Sequence, residues 1–172
     1  NTDHAGLDRL ALAAAPGAGG LTLLPYLDGE RTPNLPNATG SLHGLTRSNA
    51  TPENLARAVV EGMLLGLAAA VDAVRAAGCP VHRVLLIGGA AASVAVQEVA
   101  ADVFGVPVAI PSPGEYVAVG AARQAAWALA GGDAPPAWDV AVDVTIDPDE
   151  AGRARAAEVR GRYAATVAAT YP

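Results

Sequence analysis

The sequence predicts an α/β layered domain in which at least part of the sheet is parallel. Three observations carry that expectation. Between Arg83 and Ala130 apolar runs alternate with helical patterns: Arg83–Ile87, Ser93–Phe104, Val106–Ile110 and Tyr116–Ala130. Ahead of them a helical period runs unbroken from Thr51 to Gly78, long enough to span about 39 Å. Apolar residues make up 52% of the chain and charged residues 16%, so most elements must bury at least one face. At 172 residues the chain can do so around one core.

The elements follow in order. Asn1 to Ala15 reads as the tail of a helix already under way, and an Asn at the first position reads as a piece of a longer protein. Pro16-Gly-Ala-Gly-Gly20 breaks that helix, and Leu21–Leu24 is a short buried strand ended by Pro25. From Tyr26 to Thr39 the chain is rich in Gly, Pro, Asn and charge and has no period. Loops of that length in a compact domain are usually functional or disordered. Gly40–Thr46 is a candidate short strand. Thr51 and Pro52 then supply an N-cap and a proline at the first helical position. In the long helix Leu55, Val59, Met63, Leu67 and Val71 fall four apart on one face, followed by Val74, and Gly78 and Pro80 end it. Glu61 falls on its polar side, where it is solvated or paired. Gly131–Pro136 is a linker. Val140–Ile146 is a short β-like run, and a last helix from about Asp149 to Thr170 sets arginines on one side and Ala, Val and Tyr163 on the other. Trp127 and Trp138 read as packing for that last helix and the tail.

Composition excludes several functions. The net charge is −6 and the pI about 4.9, which argues against a nucleic-acid or anionic membrane surface. All eleven basic residues are arginine. Without a lysine there is no P-loop phosphate grip and no Schiff base. One cysteine, Cys79, allows neither an intrachain disulfide nor a cysteine-rich metal site, and fits a cytoplasmic protein. No metal-ligand spacing surrounds His43 or His82. A dinucleotide fold is disfavoured, since no Gly-x-Gly-x-x-Gly follows a strand.

The richest stretch is Val84-Leu-Leu-Ile-Gly-Gly-Ala-Ala-Ala-Ser93, a strand that stops at Gly88-Gly89 and leads into a helix. Glycines there let a ligand approach the backbone without a Cβ in the way. A helix start near Ser93 offers N–H groups and a partial positive charge to an anion. On its own the pattern also fits a simple packing turn, with Ser93 a simple N-cap.

Four segments in order resemble the FGGY carbohydrate kinases, and the xylulokinase branch in particular. They are Pro25-Tyr-Leu-Asp-Gly-Glu-Arg-Thr-Pro33; the spread pattern Gly40, Leu42, Gly44, Leu45, Asn54, Leu55, Ala58, Val59, Val60 and Glu61; the Gly88-Gly89 turn with Ser93; and Tyr116-Val-Ala-Val-Gly-Ala-Ala122. The resemblance covers residues 16–131 and concerns the C-terminal lobe only. It implies a ribonuclease-H-like (actin-like ATPase) lobe, with a mixed sheet flanked by helices and one long central helix. The implied division is a connecting helix and linker at 1–20, a nucleotide-binding lobe at 21–131 and a tail with a terminal helix at 132–172. The implied nucleotide contacts are Gly88, Gly89, Ala90 and Ser93, and the loop at 25–33 lies at the cleft edge. Ala90 stands where the family commonly has a third glycine, and Val96 and Glu98 stand where Trp and Gln are typical.

What the resemblance implies for function is transfer of the ATP γ-phosphoryl group to D-xylulose, with Mg²⁺. The catalytic residues are expected on the missing N-terminal kinase lobe, none in this chain, so the chain alone is expected to be inactive. Neither Asp3 nor Asp8 sits in the family's aspartate motif. The partners implied are that lobe, ATP and a small sugar; a homodimer stays open. Two rivals are a kinase for another sugar or polyol and a non-catalytic binding module. A module of that kind predicts a covered surface, whereas a lobe cut from its neighbour exposes a large apolar patch.

Overall fold

The computed structural model describes residues 3–172. Helix α1 spans His4–Ala13, and the Asp3 carboxylate opens it by accepting from the Gly6 N–H at 2.6 Å. Asn1 and Thr2, where the predicted helix begins, lie outside the described residues. The chain then turns through a 3-10 segment, Ala18–Gly20. That turn needs glycine, because Gly17, Gly19 and Gly20 all have positive φ. Strand β1, Thr22–Leu24, pairs antiparallel with β2, Ser41–His43. Asn49 braces the ribbon by donating to Gly19 O at 3.0 Å and Gly44 O at 2.9 Å.

Helix α2, Pro52–Ala76, begins where its cap predicts: Thr51 Oγ1 accepts from the Asn54 N–H. Then come β3 (Val84–Leu85), a 3-10 turn at Gly89–Ala92 and α3 (Val94–Phe104). They are followed by β4 (Val108–Pro111), α4 (Tyr116–Ala130), β5 (Val142–Ile146) and α5 (Glu150–Thr170). Strand β4 lies at the centre of a mixed sheet, parallel to β3 and antiparallel to β5. The β1–β2 ribbon is a separate sheet.

The core sits between α2, α3, β4 and α5. Val60, Leu64, Ala68, Val99, Phe104, Val108, Val159 and Tyr163 share one buried cluster that also reaches Leu24 and Tyr26. Here the structure corrects the face of α2. Leu55, Val59 and Leu67 of its expected stripe point outward, Val59 45% and Leu67 51% exposed, while Met63 and Val71 pack at the edge of the core. The buried side is lined by Ala56, Val60, Leu64 and Ala68. The physical reason is close approach: a stripe rich in Ala, with Gly62, admits neighbouring backbone that bulkier side chains would hold off. A Cβ at Gly62 would stand 2.5 Å from Leu23 O.

Glu61 is paired, as one of its two expected states has it, but on the buried side of the helix rather than the polar one. It is 4% exposed, and its Oε1 accepts from Arg57 Nε at 2.6 Å and from the Gly17 N–H at 2.8 Å. An ion pair therefore lies inside the helix's inner face and ties α2 to the turn after α1. The tryptophans also differ from expectation. Trp138 is exposed, and Trp127 donates to Gly132 O, holding its own linker rather than α5.

Candidate functional site

Strands β3 and β4 run parallel, and both run out of the sheet at the same edge. Ligands of open α/β sheets bind in such crevices, beyond the carboxyl ends of the strands. Beyond β3 the chain turns through Gly88 and Gly89; beyond β4 it turns through Pro111–Glu115 into α4. Between these two turns lies a cavity of about 520 Å³, lined by Leu86–Gly89, Ala91, Ala92, Gln97, Ile110–Tyr116, Asp143 and Val144. That volume falls within the roughly 300–1,000 Å³ of small-molecule sites.

The two glycines differ. Gly88 has φ +94°, ψ −180° and caps the 3-10 turn, a backbone state open essentially to glycine alone. Gly89 lies outside the positive-φ region, and a Cβ built on it meets nothing within 4 Å. The space above Gly89 is thus free for a ligand. The first N–H groups of a helical turn have no partner within it, so the start of Gly89–Ala92 offers backbone donors. Gln97 steadies the turn by donating to Ala91 O at 2.7 Å.

Ala90 and Ser93, the other two implied contacts, do not line the cavity. Ser93 caps α3, its Oγ accepting from the Val96 N–H at 3.1 Å. The same hydroxyl donates to Asp8 Oδ1 at 2.5 Å, and the Val94 N–H donates to Asp8 Oδ2 at 3.1 Å. The start of α3, which the sequence offers to an anion, therefore already takes the carboxylate of Asp8. Glu98, which stands where the family typically has Gln, is exposed and does not line the cavity, so its charge does not face a phosphate there.

The far wall was not foreseen. It is the turn Ser112–Glu115, whose shape is held by Tyr116 donating to Ser112 O and by Ser112 Oγ donating to Asp143 Oδ1 at 2.7 Å. The sequence signal for it was Pro-Ser-Pro-Gly between a strand and a helix, in register with Gly88-Gly89 one strand away. Nothing local pointed to Asp143, which reaches the wall only because β5 pairs with β4. The charged side chains that line the cavity, Glu115 and Asp143, are both acidic. That end of the cavity suits hydroxyl or amino donors, or a hydrated cation, and the glycine end suits an anion.

In the loop, Glu30 Oε1 accepts from the Arg31 and Thr32 N–H groups at 2.7 and 3.1 Å.

Comparison with known proteins matches residues 2–129 to the C-terminal domain of the FGGY family of carbohydrate kinases. A xylulose kinase of Streptomyces coelicolor is 43% identical over 160 residues, covering 91% of this chain and 32% of that protein. The crystal structure of a xylulose kinase from Bifidobacterium adolescentis superposes with a TM-score of 0.74 at 48% identity, covering 92% of this chain and 32% of that one. A glycerol kinase of Verminephrobacter eiseniae is 38% identical over 130 residues, 72% of this chain and 25% of that protein. The chain thus spans about a third of the length of the xylulose kinases it matches, and its fold is that of the C-terminal part of these actin-like sugar kinases.

Proposed function

The chain belongs to the FGGY family of carbohydrate kinases, as a C-terminal part, and on that premise we propose that it is the nucleotide-binding half of a kinase that moves the γ-phosphoryl group of ATP to D-xylulose. The product is xylulose 5-phosphate. The observation that carries this reading is the Gly88-Gly89 turn, which opens onto the cavity with no side chain in the way.

Phosphoryl transfer depends on positioning and electrostatics more than on covalent help from the protein. The role of this chain is then to hold the nucleotide. The backbone of Gly88 and Gly89 faces its phosphates, with Ser93 fixing the turn from behind through α3. The acidic wall of Glu115 and Asp143 faces hydroxyl or amino groups of the nucleoside. Mg²⁺ would come with the nucleotide, whose phosphates share it with one or two carboxylates, and those carboxylates would belong to the preceding lobe, since Glu115 and Asp143 face the nucleoside. When bound, the metal neutralises charge on the transferring group. The catalytic residues and most of the sugar-reading ones belong to the lobe that precedes this one, this chain adding the loop at 25–33 at the cleft edge, and closure of the two lobes keeps water from the phosphoryl group. By itself the chain is inactive, and the protein works in the cytoplasm.

Exposed apolar surface supports a two-part protein over a free-standing module. Helix α4 buries no residue, Val117 and Leu129 stand open, and so does the outer stripe of α2. Exposed apolar faces of this kind mark interfaces. The 38% identity with a glycerol kinase keeps a second reading open, a kinase for another polyol or sugar. Joining this chain to its N-terminal lobe decides both. ADP release that requires ATP and xylulose supports the proposal, release with another member of a panel of sugars and polyols but not with xylulose supports the second reading, and no release with any of the panel defeats the kinase reading.

A further inference from the structure

The loop from Pro25 to Thr39 carries the Asp28-Gly-Glu-Arg-Thr-Pro33 segment and has little regular structure. Its tip is closed on itself: Gly29 donates to Ala38 O at 3.1 Å, and Glu30 and Leu35 exchange backbone hydrogen bonds at 2.9 and 2.8 Å. Those bonds set the shape of the loop but not its direction from the core.

Direction is set at its base, by the far end of the chain. Tyr26, 3% exposed, lies with its ring 5.7 Å from that of Tyr171 at an interplanar angle of 42°. Its hydroxyl accepts from Tyr163 at 3.3 Å. The Tyr171 hydroxyl donates to Thr39 O at 2.9 Å. One side chain thus touches the first residues of the loop and the last. Its footing is firm, because α5 is anchored elsewhere along its length. Arg162 donates to Thr22 Oγ1 at 3.1 Å and Gly17 O at 2.8 Å. Arg160 donates to Val103 O at 2.6 Å and pairs with Asp72. Val159 and Tyr163 lie in the main core. The anchoring residues Val159, Arg160, Arg162, Tyr163 and Tyr171 all lie beyond residue 129, where the match to the family domain ends.

We infer that Tyr171, standing on α5, is a positioning residue for the loop at 25–39 and, through the loop, for the sugar at the cleft. The first part stands on geometry alone, whereas the effect on the sugar rests on the kinase reading above.

The test compares Tyr171→Ala and Tyr171→Phe in the complete polypeptide by hydrogen exchange and by kinetics. In Tyr171→Ala, amides of the 29–38 segment exchange about tenfold faster, the combined effect of a lost aromatic contact and a lost hydrogen bond. Amides of α3 keep their rates. Tyr171→Phe retains the ring and recovers most of the protection. In turnover, KM for the sugar rises about fivefold in Tyr171→Ala while KM for ATP stays the same, as expected of a displaced substrate-positioning segment. Unchanged loop exchange, or an equal rise in the loop and in α3, overturns the positioning role. Faster loop exchange with an unchanged sugar KM overturns the link to the sugar. A wild-type protein with no turnover defeats the kinase reading, and the exchange arm still decides the positioning role.

Discussion

Gly88 and Gly89 are adjacent yet answer to different constraints. Gly88 is required by the backbone: at φ +94° any side chain is strained. Gly89 is required, on the nucleotide reading, only by what sits above it. Gly89→Val therefore separates folding from binding. The variant keeps its melting temperature within a few degrees, and ATP affinity by calorimetry falls about tenfold, near 1.4 kcal/mol. Unchanged affinity puts the nucleotide elsewhere. Asp102 gives a test of a different kind. Burial pushes its carboxyl above the ordinary 3.8, and neighbouring Asp149 adds to the rise. The folded chain then holds a proton at pH values where the unfolded chain has lost it. Stability on this account falls as pH climbs from 3.8 through the raised value. Asp102→Asn removes that loss, so its melting temperature is flatter across the window and higher above it than that of the wild type. Parallel curves for the two proteins would dismiss the effect.

At the scale of elements, α2 shows what a sequence pattern resolves and what it leaves open. Thr51-Pro52 marked its start because capping is a local matter. The buried face was not legible, since the helix carries two apolar stripes and periodicity weighs Leu55, Val59 and Leu67 above Ala56 and Ala68. Close packing on β1, α1 and α3 selected the smaller one. That choice drew Arg57 and Glu61 inside, and Glu61 became the link between α2 and Gly17. Glu61→Ala leaves the Arg57 charge buried without its partner and the Gly17 N–H unsatisfied, at a cost of about 3–5 kcal/mol. Denaturant unfolding measures it, and a loss under about 1 kcal/mol would mean that water replaces the carboxylate. The boundaries of α4, Tyr116 to Ala130, were read correctly, yet nothing in its pattern foretold that it would bury no residue.

Across the whole molecule, the alternation of strands and helices between residues 83 and 130 and the long helix before it were enough to predict the α/β class. Gly88-Gly89 was legible as a turn at the end of a strand for the same reason: a β-branched run that halts at paired glycines is a local signal, and the structure sets both glycines on the cavity. The opposite wall was not, because Ser112, Glu115 and Asp143 meet only when β3, β4 and β5 assemble. Nor was the capture of Ser93 by Asp8, two residues 85 positions apart. By itself the sequence determined the order of the helices and strands, the capped start of α2 and the span of α4, which turns require glycine, and the family, since these follow from short stretches of the chain. Only the tertiary structure decided which face of α2 is core, that Asp8 rather than a ligand takes the start of α3, and that the last helix holds the loop at 25–39. Those outcomes depend on which surfaces of comparable hydrophobicity fit closest together, and side-chain volume and long-range hydrogen bonding settle that only once the chain has folded.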